Sequence, residues 1–374
     1  MSLKDIYCQQ KAVRILEGSF KTAKIPHAFI FAGKEGVGKF KTSVEWGKLL
    51  LCQKPVLEKD FVDSCEQCRS CQLFAAESHP DCQIVYKELK QYTQDGRNKD
   101  QKTPVDLSID VIREFLVEKA YAKPGISKRK VFILKEAEKL SDSAQNALLK
   151  ILEEPPGYCN IILICSQLEK LLPTIKSRCQ VIAFGPIAED IIIKKLQEME
   201  INAPMARFFA RLAQGSLGQG CQWAKLELAG AGLYQKKQQI VRAVSQYCFA
   251  DALDLAEQLS DNAKEIAKTW TSLSEEISRT DITRRAQKTV LLIIISVLRD
   301  AMRISLADGG NITNFDQKAQ IEELASRYTI SQLAKKITEA CNNFQWIDFS
   351  VNEKLIFEHL LLNLCISDRM DVLR

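Results

Sequence analysis

No stretch of this chain is long and apolar enough to read as a membrane span. The most apolar run, VLLIIISVL (290–298), falls well short of the roughly 20 residues a bilayer helix needs, and a buried helix is expected there. The opening segment, MSLKDIYCQQ, lacks the apolar core of a secretory signal, so a cytoplasmic location is expected. Neither charge sign dominates: 52 Lys and Arg face 47 Asp and Glu, a net +5, and the basic residues are spread, not striped. Such a balance permits contact with nucleic acid, but a dedicated binder would carry a denser patch. Internal repeats and sustained heptads are also missing, which excludes a solenoid or a long coiled coil.

What is present is an ordinary globular composition, 46% apolar and 26% charged, in 374 residues. That length implies about two or three domains. Thirteen cysteines without an export signal imply reduced thiols, with any tight cluster serving a metal.

In the first half, AFIF (28–31) reads as a buried strand, and CQIVY (82–86), KVFIL (130–134), IILI (161–164) and QVIAF (180–184) supply four more candidate strands between helical patterns. That alternation predicts an α/β fold with a mostly parallel sheet. The polar segment 89–103 reads as an exposed loop. SIDVIREFLVEKAYAKP and DSAQNALLKILEEPP read as helices ended by prolines. After Pro186 the strand signals stop, and helical patterns run to the C-terminus, broken most clearly at ADGGN (307–311). The layout is an α/β domain, a small helical domain and a larger all-α domain.

The stretch GKEGVGKFKT (33–42) follows the first strand and opens a helix, the setting in which backbone N–H groups cradle phosphate. Gly33, Gly38 and Lys39 match the phosphate-loop pattern, but Phe40 stands where Ser or Thr would hold magnesium. Thr42 cannot substitute, because two residues carry it about 200° round the helix. The acid expected after a later strand is missing as well: Lys135 follows KVFIL, then Glu136. Both departures strike the same ion. Hydrolysis is not expected, although the cradle and Lys39 still admit a nucleotide.

Cys65, Cys68 and Cys71 have C-x2-C-x2-C spacing, which lets thiolates converge on one ion. A fourth ligand would complete a closed tetrahedral zinc site, and spacing leaves Cys52, Cys82 and His79 open for it. An iron–sulfur run would continue with a tighter C-x3-C-P, which is absent. The remaining cysteines are scattered among apolar neighbours and read as core.

IPHAFIFAGKEGVGK, HPD, KVFILKEAEKLSDSAQNALLKILEEPP and LLPTIKSRCQ, in that order, resemble the clamp-loader ATPase family of bacterial replication over roughly residues 8–220. The resemblance implies an AAA+ domain (1–187) with an inserted zinc module (about 52–82), a small helical lid (188–236) and an all-α collar (237–374) that holds a ring. It favours Cys52 with Cys65, Cys68 and Cys71 as zinc ligands and leaves Cys82 unassigned. Gly33, Gly36, Gly38 and Lys39 become a degenerate phosphate loop, and Ser166 matches a nucleotide-sensing position. A second sensing position, an arginine in the motor subunits, falls at Gly218. Arg178, in the triplet SRC, matches an arginine that acts in trans on a neighbour's ATP.

These departures imply a stationary, noncatalytic member of the DNA polymerase III assembly. Its implied partners are the gamma/tau ATPase subunits, the delta subunit, the sliding clamp and, through the ring, primed DNA, with no membrane contact. The alternative is an active clamp-loader ATPase with a variant metal site. A zinc-dependent DNA-binding regulator is the weaker third reading, since no recognition-helix pattern adjoins the cysteines.

Overall fold

The computed structural model describes residues 2–58, 61–94, 104, 106–273, 278–306, 309–349 and 351–366. The chain divides into two compact units, Met1–Ala188 with Gly215–Gly218, and Glu189–Gln214 with Gln219–Arg374.

The first unit is built on a five-stranded parallel sheet. Its strands are β1 (Ala28–Ala32), β4 (Cys82–Val85), β5 (Lys130–Leu134), β6 (Cys159–Cys165) and β7 (Gln180–Ala183), in the order β4-β5-β6-β1-β7. Strands β2 (Val56–Leu57) and β3 (Val62–Asp63) form a separate antiparallel pair. The central strands are near-continuous apolar runs because helices cover both faces of the sheet. Alternate side chains sort between those faces. Ala28, Ile30, Phe132, Leu134, Ile161 and Leu163 pack with Leu148 and Ile151 of α6 (Asp142–Glu153). Phe29, Phe31, Val131, Ile133 and Ile162 pack with Leu16 of α1 (Gln10–Lys21) and Trp46 and Leu49 of α2 (Lys39–Leu51). A short helix, α3 (Arg69–Ala75), follows the small hairpin.

The helix expected before Pro124 is α4 (Ile109–Ile112) and α5 (Glu118–Tyr121) joined by a π turn at Arg113–Val117. The segment read as an exposed loop is not wholly one: Lys87–Tyr92 forms a 3-10 helix, with Leu89 buried in the sheet core. A single apolar anchor, too sparse to show periodicity, holds that turn against the sheet. Residues 95–103 of that segment lie outside the described residues. A final short helix, α7 (Pro173–Arg178), leads into β7.

The second unit is helical: α8 (Glu189–Gln197), α9 (Ala203–Ala213), α10 (Leu217–Leu228), α11 (Leu233–Ser245), α12 (Ala252–Leu273), α13 (Arg279–Ser305), α14 (Lys318–Arg327), α15 (Ile330–Asp348) and α16 (Glu353–Ile366). Helix α10 begins in the first unit and continues in the second. The apolar run 290–298 lies inside α13, where Val290, Ile293, Ile294 and Val297 are fully buried. At the ADGGN break, Gly309–Asn311 forms a 3-10 turn, and residues 307–308 lie outside the described residues. Among the described residues, no helix is long and apolar enough to cross a membrane.

Candidate functional site

The glycine loop leaves the carboxyl end of β1, and Gly38 caps α2 at φ 101°, a backbone setting that favours glycine. Lys39 is only 4% exposed. Its Nζ donates to the carbonyls of Gly33 and Lys34, the latter at 2.7 Å, and reaches Ser166 Oγ at 3.4 Å. Burial lowers the Lys39 pKa, partly offset by the Glu138 carboxylate. Ser166 sits just beyond β6, with its backbone N–H donating to Glu138 at 3.1 Å. The fold thus brings Gly33, Gly36, Gly38, Lys39 and Ser166 to one place, and adds Glu138.

Phe40 projects outward, and the Lys135 ammonium lies 4.2 Å from its ring centroid. The two departures from the phosphate-loop pattern singled out in the sequence therefore face each other. Thr42 is buried, its hydroxyl donating to the Gly38 carbonyl at 2.9 Å. Gly218 donates its N–H to the Gly36 carbonyl at 2.9 Å, and Ser216 Oγ donates to the Glu35 backbone carbonyl at 2.7 Å. A Cβ on Gly218 would come within 2.8 Å of the Gly36 Cα, so no side chain fits there without a shift.

The sulfurs of Cys52, Cys65, Cys68 and Cys71 lie within 4.8 Å of one another. Cys52 Sγ is 3.5 Å from Cys65 Sγ and 4.0 Å from Cys68 Sγ. Tetrahedral zinc with its usual bonds of ~2.3 Å sets sulfurs about 3.8 Å apart, so the set fits that ion. Backbone N–H groups of Cys65 and Cys68 donate to the sulfurs of Cys52 and Cys65 at 3.3 and 3.4 Å, which suits thiolates. Burial and neighbouring sulfurs push the Cys71 thiol up. Burial opposes ionisation of Cys68 too, yet the N–H groups of Cys71 and Gln53, together with the neighbouring Cys71 and Cys65 thiols, draw it down.

His79 and Cys82 stand outside this cluster. Cys82 opens β4, where burial pushes its thiol up to about 12. His79 Nδ1 accepts the Asp81 N–H at 3.1 Å, and its Nε2 lies 2.7 Å from Ser70 Oγ. Ser70 gives its own proton to the Leu51 carbonyl at 2.7 Å, so His79 Nε2 is the donor in the shared bond. That carbonyl directly precedes Cys52, and Ser70 directly precedes Cys71. His79 thus braces two of the cysteines from outside the four-sulfur set. Asp81 accepts N–H bonds from Gly125, Ile126 and Ser127 at 2.6, 2.9 and 2.8 Å.

Arg178 ends α7 at the sheet rim, just before β7. Its Nη2 lies 2.9 Å from Glu153 Oε1, and its Nη1 donates to the Thr174 carbonyl at 3.1 Å. Glu138, Glu153 and Gln9 were not singled out by sequence reading. Gln9 is 3% exposed and donates to the carbonyls of Val37 and Gly185 at 3.2 and 2.8 Å, tying the glycine loop to the segment after β7. Glu138 and Glu153 do lie inside the motif KVFILKEAEKLSDSAQNALLKILEEPP, and its density of acids was the available signal.

The family described as DNA polymerase III, delta subunit, matches residues 8–188, and its C-terminal counterpart matches residues 253–365. The chain is 25% identical to DNA polymerase III subunit delta' of Bacillus subtilis, over 95% of this chain and 96% of that one. It is 28% identical to the delta' subunit of Pseudomonas aeruginosa, over 96% of this chain and 97% of the relative. Subunit tau of Bacillus subtilis is 24% identical over 97% of this chain and 61% of its own length. With delta' relatives matching almost end to end and family matches in both the sheet unit and the C-terminal helices, the chain belongs to the DNA polymerase III delta-prime subunit family.

Proposed function

We propose that this chain is a noncatalytic subunit of the bacterial replicative clamp loader. In this reading it completes a neighbouring subunit's ATP site through Arg178 and helps load the sliding clamp onto primed DNA. The observation that carries the noncatalytic part is the Phe40–Lys135 pair. Phosphoryl transfer in phosphate-loop enzymes needs a hydroxyl after the loop lysine and an acid at the later strand, both serving magnesium. An aromatic ring and an ammonium stand at those positions here. The glycines, Lys39 and Ser166 keep a cradle's shape, and a nucleotide taken up there would not be hydrolysed.

Cys52, Cys65, Cys68 and Cys71 would hold a structural zinc ion, which contributes folding energy and has no open coordination position. Residues 1–187 would be the AAA+ domain with the zinc module at about 52–82, 188–236 the lid and 237–374 the collar. Through the collar the chain would join gamma/tau and delta subunits, and likeness to a tau subunit supports that kinship.

One observation favours the alternative of an active ATPase with a variant metal site: Glu138 supplies a carboxylate beside Lys39 and Ser166. Turnover by the isolated chain separates the two readings.

The trans role is tested on rings reconstituted with wild-type or Arg178→Ala chain. A guanidinium stays charged and can meet charge building on the γ-phosphate, an effect worth about a thousandfold or more at a single site elsewhere. With several sites per ring, the expected result is assembled rings with reduced DNA- and clamp-stimulated ATPase and slower loading. Lysine should rescue poorly, lacking the planar fork. Equal rates would remove the trans role and leave a structural subunit.

A further inference from the structure

Glu153 is the last residue of α6, followed at once by Glu154 and the Pro155–Pro156 stop. A carboxylate there meets the negative end of the helix dipole, so an acid is unfavourable unless a cation stands against it. Arg178 is that cation, with Nη2 at 2.9 Å from Glu153 Oε1. Nη1 donates to the Thr174 carbonyl at 3.1 Å and lies 3.4 Å from Ser177 Oγ. The guanidinium is held on two sides within its own chain, yet its side chain keeps 36% of its surface exposed.

We propose that Glu153 is a positioning residue for Arg178: a resting counter-ion that holds the guanidinium until a neighbouring subunit's triphosphate draws it away. The proposal rests on the reading of Arg178 as acting in trans. Half-exposed ion pairs hold weakly, biasing the population by about fivefold or less. A triphosphate carries more charge than one carboxylate and also offers bidentate oxygens, so it outcompetes Glu153. The pair therefore lowers idle engagement of the arginine without blocking the stimulated state.

The test uses rings reconstituted from this chain and its ATPase partners, assayed without DNA and clamp and then with both. Glu153→Ala should raise the unstimulated rate about two- to fivefold, through kcat and not KM. Glu153→Gln, which keeps an acceptor and loses the charge, should fall between. In an Arg178→Ala background, Glu153→Ala should change neither rate, whereas a purely structural role in α6 would persist there. An unstimulated rate unchanged or lowered by Glu153→Ala overturns the proposal, and the trans role stands if Arg178→Ala still lowers the stimulated rate. If Arg178→Ala leaves that rate untouched, the trans reading falls and this proposal falls with it.

Discussion

The Lys135 ammonium lies 4.2 Å from the centroid of the Phe40 ring. A cation over an aromatic face is worth about 0.5–1 kcal/mol when exposed, so the pair is modestly stabilising. Its larger consequence is chemical. On the proposed reading, positive charge and an oxygen-free ring stand where magnesium would need oxygens.

The isolated chain should accordingly hydrolyse ATP no faster than background, with or without magnesium. Any nucleotide binding should be weak and nearly magnesium-independent. Magnesium-dependent turnover that disappears in Lys39→Ala would defeat this expectation. On the proposed reading, Phe40→Thr with Lys135→Asp should not restore turnover, because the position that reading gives to a sensing arginine is Gly218, where a Cβ would meet Gly36 at 2.8 Å.

That lack of room has its own test. A Cβ at Gly218 would sit 2.8 Å from the Gly36 Cα, a side-chain carbon against backbone that cannot simply swing aside. Gly218→Ala should cost about 1–3 kcal/mol, the usual range for overpacking, and lower the thermal midpoint. An unchanged midpoint would mean that the loop yields freely.

Metal analysis should find near one zinc per chain. Cys52→Ser should lower that content, and Cys82→Ser should not, since Cys82 lies outside the four-sulfur set. The reverse pattern would reassign the fourth ligand.

His79 predicts a pH dependence. Burial holds its pKa below the ordinary value, with the Asp81 charge opposing. The unfolded chain therefore takes up the proton first, and stability is lost as pH falls below about 6.5. Protonation would also put an N–H at Nδ1, facing the Asp81 N–H. His79→Leu should flatten that pH dependence and cost about 1–3 kcal/mol, chiefly for the Asp81 N–H left without its acceptor, since Ser70 keeps its bond to the Leu51 carbonyl. Urea unfolding of the zinc-loaded protein from pH 7.5 to 5.5 reads both effects. A wild-type profile no steeper than that of His79→Leu would exclude the assignment.

Sequence by itself determined the strands of the sheet, the glycine loop and the buried helix at 290–298. These depend on periodicity and on turn chemistry, which act over a few residues. Three of the four clustered cysteines were legible for the same reason, being neighbours along the chain. The fourth was not. Cys52, Cys82 and His79 are equivalent by spacing, and only the approach of α2's end to the hairpin and α3 brings the Cys52 sulfur into the set. Phe40 with Lys135, Arg178 with Glu153 and Gly218 against Gly36 are likewise products of tertiary structure. Each joins residues remote in sequence whose distance is set by strand order and helix docking. Local patterns carry residue type and facing, but a contact also requires distance, and that comes only from the packed chain.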